Sequence, residues 1–156
     1  MVNLLRRREM VQASGGGNTP LHPLKDGNYK GTNGTASNTE VSLGYHIYVY
    51  KLYGDANWNV KFPFVSGFSL VAGDVVEFKV NFTRITGCTV QFRLMDDESS
   101  SKTLITGITA VGEYSATVTM TGGLDVTRLY FGITSGSSKK YYDCDVSMWV
   151  NGVRYT

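Results

Sequence analysis

The sequence predicts an all-β fold, an antiparallel β-sandwich of about eight or nine strands preceded by an extended N-terminal arm. Three observations predict it. Of 156 residues 18 are Gly and 10 are Tyr, with only 3 Pro, a composition that suits strands and turns. From Glu40 onward apolar residues recur with a period of two, and no stretch of helical period interrupts them. Turn-forming clusters separate the alternating runs: Ala72-Gly73-Asp74, Asp96 to Ser101, Thr121-Gly122-Gly123 and Ser135-Gly136-Ser137.

The arm comes first. Met1 to Gln12 reads as a short helix with Leu4, Leu5 and Val11 as its apolar contacts, too short to be stable in water without a partner surface. Ser14 to Asn18 is a glycine-rich joint, and Thr19-Pro20-Leu21-His22-Pro23 favours an extended path. Asp26 to Asn38 is rich in turn formers, so the expected division is an arm and linker over 1–38 and a sandwich over 39–156.

In the body, Val41, Leu43, Tyr45, Ile47 and Val49 share one parity. Val76, Phe78, Val80 and Phe82 form the next run, followed by Cys88, Val90, Phe92 and Leu94. Tyr114, Ala116, Val118 and Met120 then alternate with Ser and Thr. Leu129, Phe131 and Ile133 precede the last run, Cys144, Val146, Met148 and Val150. Shorter strands fit 60–65, 68–71 and 103–109. Each strand has one wet face, the pattern of antiparallel sheets packed on one side.

Hydrophobic residues at 42% and charged residues at 18% describe a folded chain. No apolar run approaches the roughly 20 residues of a membrane-spanning helix, so no membrane partner is expected. Net charge is +2, concentrated in the first 30 residues by Arg6, Arg7, Arg8, Lys25 and Lys30. The near-neutral body is a poor match for nucleic acid. In the N-terminal stretch the basic residues follow Leu4 and Leu5, and no apolar segment or cleavage site succeeds them, so the expectation is a protein made without export. On that expectation the acceptor patterns at Asn33 and Asn81 read as chance.

Two His and two Cys leave little material for catalysis, and neither enzymatic activity nor a cofactor is expected. Cys88 and Cys144 share the inward parity and read as small buried hydrophobes; a disulfide between them would need an oxidising compartment. His46 has outward parity and no nucleophile to serve. Asp96, Asp97 and Glu98 read as a solvated loop. Asp143 and Asp145 project together from the last strand and are the pair nearest to a Ca²⁺ set, but two carboxylates fall short of the six to eight oxygens that ion takes. No metal is expected.

Aromatic residues are the most suggestive feature. Tyr48, Tyr50, Trp58, Tyr130, Tyr141, Tyr142 and Trp149 read as outward-facing or in turns. Flat rings beside Asn, Asp and Arg suit a sugar, whose C–H face stacks while its hydroxyls bond the polar neighbours. Such rings also suit a protein interface or a plain strand surface. Arg6-Arg7-Arg8 on an apolar-basic segment looks like a docking peptide for an acidic or carbonyl-rich surface.

From Phe68 to Tyr155 the chain resembles the jelly roll of carbohydrate-binding modules. The resemblance lies in Leu70 to Asp74 leading into a strand, in Val90 to Asp97, in Gly112 to Thr117, in Leu129 to Ile133 and in Asp145 to Gly152. It implies a sugar site either on the concave sheet or in the loops at one end, without fixing any ligand residue. The opening Asn3 to Met10 is similar to the starts of structural proteins of tailed, crAss-like phages that infect Bacteroides-type bacteria. That second likeness implies a virion protein assembled in the host cytoplasm, a capsid decoration or head-fibre component. Leu4, Leu5, Arg6, Arg7 and Arg8 would anchor it on other virion proteins, and a homo-oligomer such as a trimer would suit the part. The alternative is a carbohydrate-binding module attaching to bacterial surface glycans.

Overall fold

A computed structural model describes residues 19–25, 27–31, 34–51, 58–133 and 139–156, with backbone alone at 27–31, 51, 58 and 59. Eleven strands follow one another without a helix among the described residues: β1 (Gly27–Gly31), β2 (Gly34–Val41), β3 (Gly44–Lys51), β4 (Trp58–Leu70), β5 (Val75–Thr86), β6 (Val90–Met95), β7 (Ser101–Ile108), β8 (Gly112–Thr119), β9 (Leu124–Ile133), β10 (Lys140–Val150) and β11 (Val153–Arg154). They form two antiparallel sheets. The larger runs β1-β2-β3-β10-β5-β8, with β11 also paired to β10, and the smaller runs β4-β9-β6-β7.

The sandwich begins earlier than the sequence suggests. The expected division between residues 38 and 39 falls inside β2, and β1 and β2 pair over Gly27 to Asn38. Glycines and short polar residues hide these strands because β2 buries only Ala36 and Asn38. The parity run from Val41 to Val49 reads through a hairpin: Ser42 and Leu43 are its turn, and Leu43 is 59% exposed. Gly44 makes the return feasible. Its φ is +137°, and a Cβ there would lie 1.9 Å from the carbonyl oxygen of Val146. The two short strands expected at 60–65 and 68–71 are one strand, β4, whose pairing with β9 is irregular between Pro63 and Phe68.

Alternation supplies the core. Phe78 and Phe82 of β5 meet Phe92 of β6 across the sandwich, with ring centroids 5.0 and 6.0 Å apart. Phe92 meets Phe131 edge-on at 4.6 Å, and Phe131 meets Phe62 at 5.0 Å. This chain of rings joins the sheets at their centre, tilted where it crosses between them and edge-to-face, as aromatic quadrupoles favour, within the smaller sheet. Cys88 and Cys144 are buried and unbridged within the same core, and burial pushes both thiols up from their ordinary pKa.

Residues 19–25 are a strap across both sheets. Leu21 N–H donates to Arg154 O at 3.2 Å and His22 N–H to Tyr155 O at 3.0 Å, on the larger-sheet side. Lys25 N–H donates to Pro63 O, and Val65 N–H to Pro23 O, on the smaller-sheet side, each at 2.8 Å. Leu24, 2% exposed, bridges to Phe64, and the buried Asn38 amide donates to Lys25 O at 3.1 Å.

Candidate functional site

One face of the larger sheet packs on the core and the other is wet. On β10 the core side carries Tyr142, Cys144, Val146, Met148 and Val150, all at most 1% exposed. The outer side therefore carries Tyr141, Asp143, Asp145, Ser147 and Trp149. On β3 the core side is Tyr45, Ile47 and Val49, which turns His46, Tyr48 and Tyr50 outward.

Register places these side chains in rows. Tyr141 pairs with Tyr50, Asp143 with Tyr48 and Asp145 with His46. Thr35, Ser37 and Thr39 of β2 extend the same rows beyond β3. On the other flank, β5 sets Thr86 beside Tyr141, Arg84 beside Asp143, Asn81 beside Asp145 and Glu77 beside Trp149. The result is a field of rings with acceptors and donors between them, edged by hydroxyls too short to cover the rings.

The polar centre is tied together. His46 Nδ1 lies 2.8 Å from Asp145 Oδ1, and its Nε2 lies 3.7 Å from Asp143 Oδ1. An Arg84 nitrogen stands 3.9 Å from Asp143 Oδ2, while its guanidinium carbon sits 4.3 Å from the centroid of the Tyr141 ring. Bonds from Thr86 and Arg84 hold the Tyr141 phenol below its ordinary pKa, and the same contact raises that of Arg84. Lys79 Nζ stands 5.0 Å from the Trp149 ring centroid.

Of the seven aromatic residues singled out in the sequence, four lie on this face: Tyr48, Tyr50 and Tyr141 in neighbouring rows, and Trp149 further along β10, beside Glu77 and Arg154. Tyr142 does not, correcting the outward reading. Its parity is that of Cys144, it is 0% exposed, and it packs against Phe82 at 5.7 Å. Among the described residues its hydroxyl has no hydrogen-bond partner, and burial raises its pKa well above the ordinary value. Tyr130 is a second correction. It lies on the outer side of the smaller sheet but is 9% exposed, because the Arg93 guanidinium carbon stands 5.7 Å from its ring centroid and Gln91 bonds its hydroxyl. Trp58 opens β4 opposite Ile133, and its side chain lies outside the described residues, as do Leu4, Leu5, Arg6, Arg7 and Arg8.

Asp143 and Asp145 both face His46, and among the described residues no three His, Cys, Asp or Glu side chains form a metal-holding group. Asp97 pairs with Arg128 at 2.7 Å, and Asp96 accepts from the backbone N–H groups of Glu98 and Ser100, so the acidic run shapes its own loop. Sequence reading missed Arg84, Lys79 and Asn81 as partners of the rings. The outward parity of Lys79 and Asn81 on β5 was legible, but that of Arg84 was not, since a register shift beyond Phe82 reverses it, and neither was their place beside β10.

No family model matches the chain, and no curated protein matches it. Solved structures do share its architecture. One mutant of CBM29-2, a family 29 carbohydrate-binding module studied for ligand recognition, is similar over 83% of this chain and 77% of its own, with a TM-score of 0.52 and 12% identity. Another CBM29-2 mutant is similar over 86% and 92%, with a TM-score of 0.52 and 14% identity. The fold is thus a jelly-roll β-sandwich of the kind carbohydrate-binding modules use. Identity this low establishes the fold alone.

Proposed function

We propose that the protein binds carbohydrate on the outer face of its larger sheet. The observation that carries this reading is the grouping of Tyr48, Tyr50 and Tyr141 from two adjacent strands on one wet face, with polar side chains between them and Trp149 further along the same face. Rings from β3 and β10 offer flat apolar surface to the C–H faces of sugar units. Asp145, Asn81 and the hydroxyls of Ser37 and Thr39 lie within the same rows to meet sugar hydroxyls. Fold likeness to carbohydrate-binding modules supports the reading without naming the sugar. The test is retention on a panel of immobilised polysaccharides. Wild-type protein is expected to be retarded by at least one, and a protein with Tyr48→Ala and Tyr141→Ala by none. A flat response of the wild type across the panel rejects the reading.

The virion role, with docking through Leu4, Leu5, Arg6, Arg7 and Arg8, is the second reading. It rests on the likeness of Asn3 to Met10 to phage structural proteins, and the strap, which secures the chain to the body from residue 19 onward, makes removal of residues 1–17 a clean experiment. The truncated protein is expected to fold and to lose incorporation into particles. Incorporation without those residues would reject an anchoring arm.

A further inference from the structure

β5 carries one residue more than β10 where the two strands pass the ring field. Asn81, Phe82 and their predecessors pair regularly with Asp145, Cys144 and onward, but Asp143 pairs with Arg84, and the register shifts between Asp143 and Cys144. Thr83 is the extra residue. In an unbroken ladder Thr83 would face Asp143, and Arg84 would lie opposite Tyr142, pointing into a core where that tyrosine is 0% exposed. A bulge reverses the parity of the residues beyond it and re-aims side chains. Here it delivers a guanidinium to the outer face and returns Ile85 to the core side, opposite Tyr142.

Delivered there, Arg84 occupies the ring a ligand would use. Its guanidinium carbon lies 4.3 Å from the Tyr141 centroid, within the distance at which a cation is attracted to the ring face. The Arg84 side chain is 59% exposed, so it is free to leave the ring without disturbing the core. Asp143 Oδ2, 3.9 Å from the nearer guanidinium nitrogen, is just beyond hydrogen-bonding distance and offers a charged alternative on the same row. A sugar and a guanidinium cannot both cover one face of one ring.

We infer that Arg84 is a displaceable cap on Tyr141, covering the ring in the free protein and moving toward Asp143 when a glycan stacks there. This inference rests on the binding reading above and makes Arg84 a positioning residue rather than a ligand contact. The cap lowers affinity by the cost of leaving the ring and shields an exposed aromatic from unspecific contacts. Lys79 and Trp149, 5.0 Å apart, repeat the pairing on the same two strands.

The test combines calorimetry with nuclear magnetic resonance on the full chain, using a polysaccharide that retains the wild type. In the free protein the Arg84 Nε–H resonance is expected to carry a ring-current shift that Tyr141→Ala abolishes, an observation independent of any sugar. Saturation with the glycan should remove that shift, and Arg84→Ala should bind roughly two- to five-fold tighter, the equivalent of one exposed cation–ring contact. Weaker or unchanged binding by Arg84→Ala, or a ring-current shift that persists in the complex, overturns the cap. Absence of glycan binding by the wild type rejects the face itself, a result distinguishable because the free-state shift would remain.

Discussion

The outer faces of the two sheets make an instructive pair. Both carry aromatic residues at outward positions on a strand flanked on both sides, yet Tyr130 on β9 is 9% exposed while Tyr48, Tyr50, Tyr141 and Trp149 remain partly open. The difference lies in the neighbours. Tyr130 has Arg93 and Lys61 as its cross-strand partners, with Gln91 close by and Gly132 two residues on. A Cβ at Gly132 would meet Gln91 and Tyr130 atoms at 2.7 to 2.9 Å, so these side chains already fill the space above the glycine and seal the ring. On the larger sheet Tyr48 and Tyr50 stand beside Ser37 and Thr35, while Arg84 and Lys79, which do reach over Tyr141 and Trp149, are themselves exposed arms rather than a packed seal. Outward parity alone does not make a binding surface; how firmly the neighbouring side chains are packed over the ring decides.

The severest way to break the contrast is Gly44→Ala. The added methyl would collide with Val146 O at 1.9 Å, with φ already at +137°, and would force β3 away from β10. A loss of about 3 kcal/mol is expected, read as a melting temperature lower by roughly 10 °C, together with loss of glycan retention. Next, Tyr130→Ala should destabilise by roughly 3 kcal/mol, as truncation of a buried aromatic does, with retention unchanged. Tyr141→Ala should do the reverse, weakening retention roughly tenfold at constant melting temperature. If the two variants behaved alike, the faces would not differ in kind.

Smaller effects sharpen the same comparison. Tyr142→Phe removes a buried hydroxyl that has no partner among the described residues and is expected to stabilise by about 1 kcal/mol in chemical denaturation. The smallest effect concerns His22, whose ring lies between Phe68 at 4.7 Å and Tyr155 at 4.8 Å. Burial holds its pKa below the ordinary 6.5, partly offset by Ser66 O. The folded state thus favours the neutral ring. Stability from the strap is complete above pH 6.5 and declines as pH falls through that value, levelling off below the folded pKa. His22→Phe should flatten this dependence in melts between about pH 7.5 and 5.

Alternation made the core strands legible, because Phe78, Phe92 and Phe131 each sit in a run whose every second residue is apolar. β1 and β2 were hidden, since a strand that buries only Ala36 and Asn38 has no apolar rhythm to read. Tyr142 could have been placed by counting back from Cys144. Tyr130 could not, because its cover comes from β6, thirty-odd residues away. The ring cluster was legible as residues but not as a site: adjacency of β3 and β10, nearly a hundred positions apart, is a fact of topology. The bulge at Thr83 leaves no sequence mark that distinguishes it from any other Thr in a strand.

The strap has a mechanical consequence. Tension entering the body at residue 19 first meets the hydrogen bonds of Leu21 and His22 to Arg154 and Tyr155, and Tyr155 in turn donates to Met148 O on β10. Load is thereby handed to the end of β10 beyond Tyr141 and Asp143, and shared with β4 through Lys25 and Val65. A pull on the N-terminal side is borne by both sheets, entering β10 at Met148, away from Tyr141 and its β3 partner Tyr50.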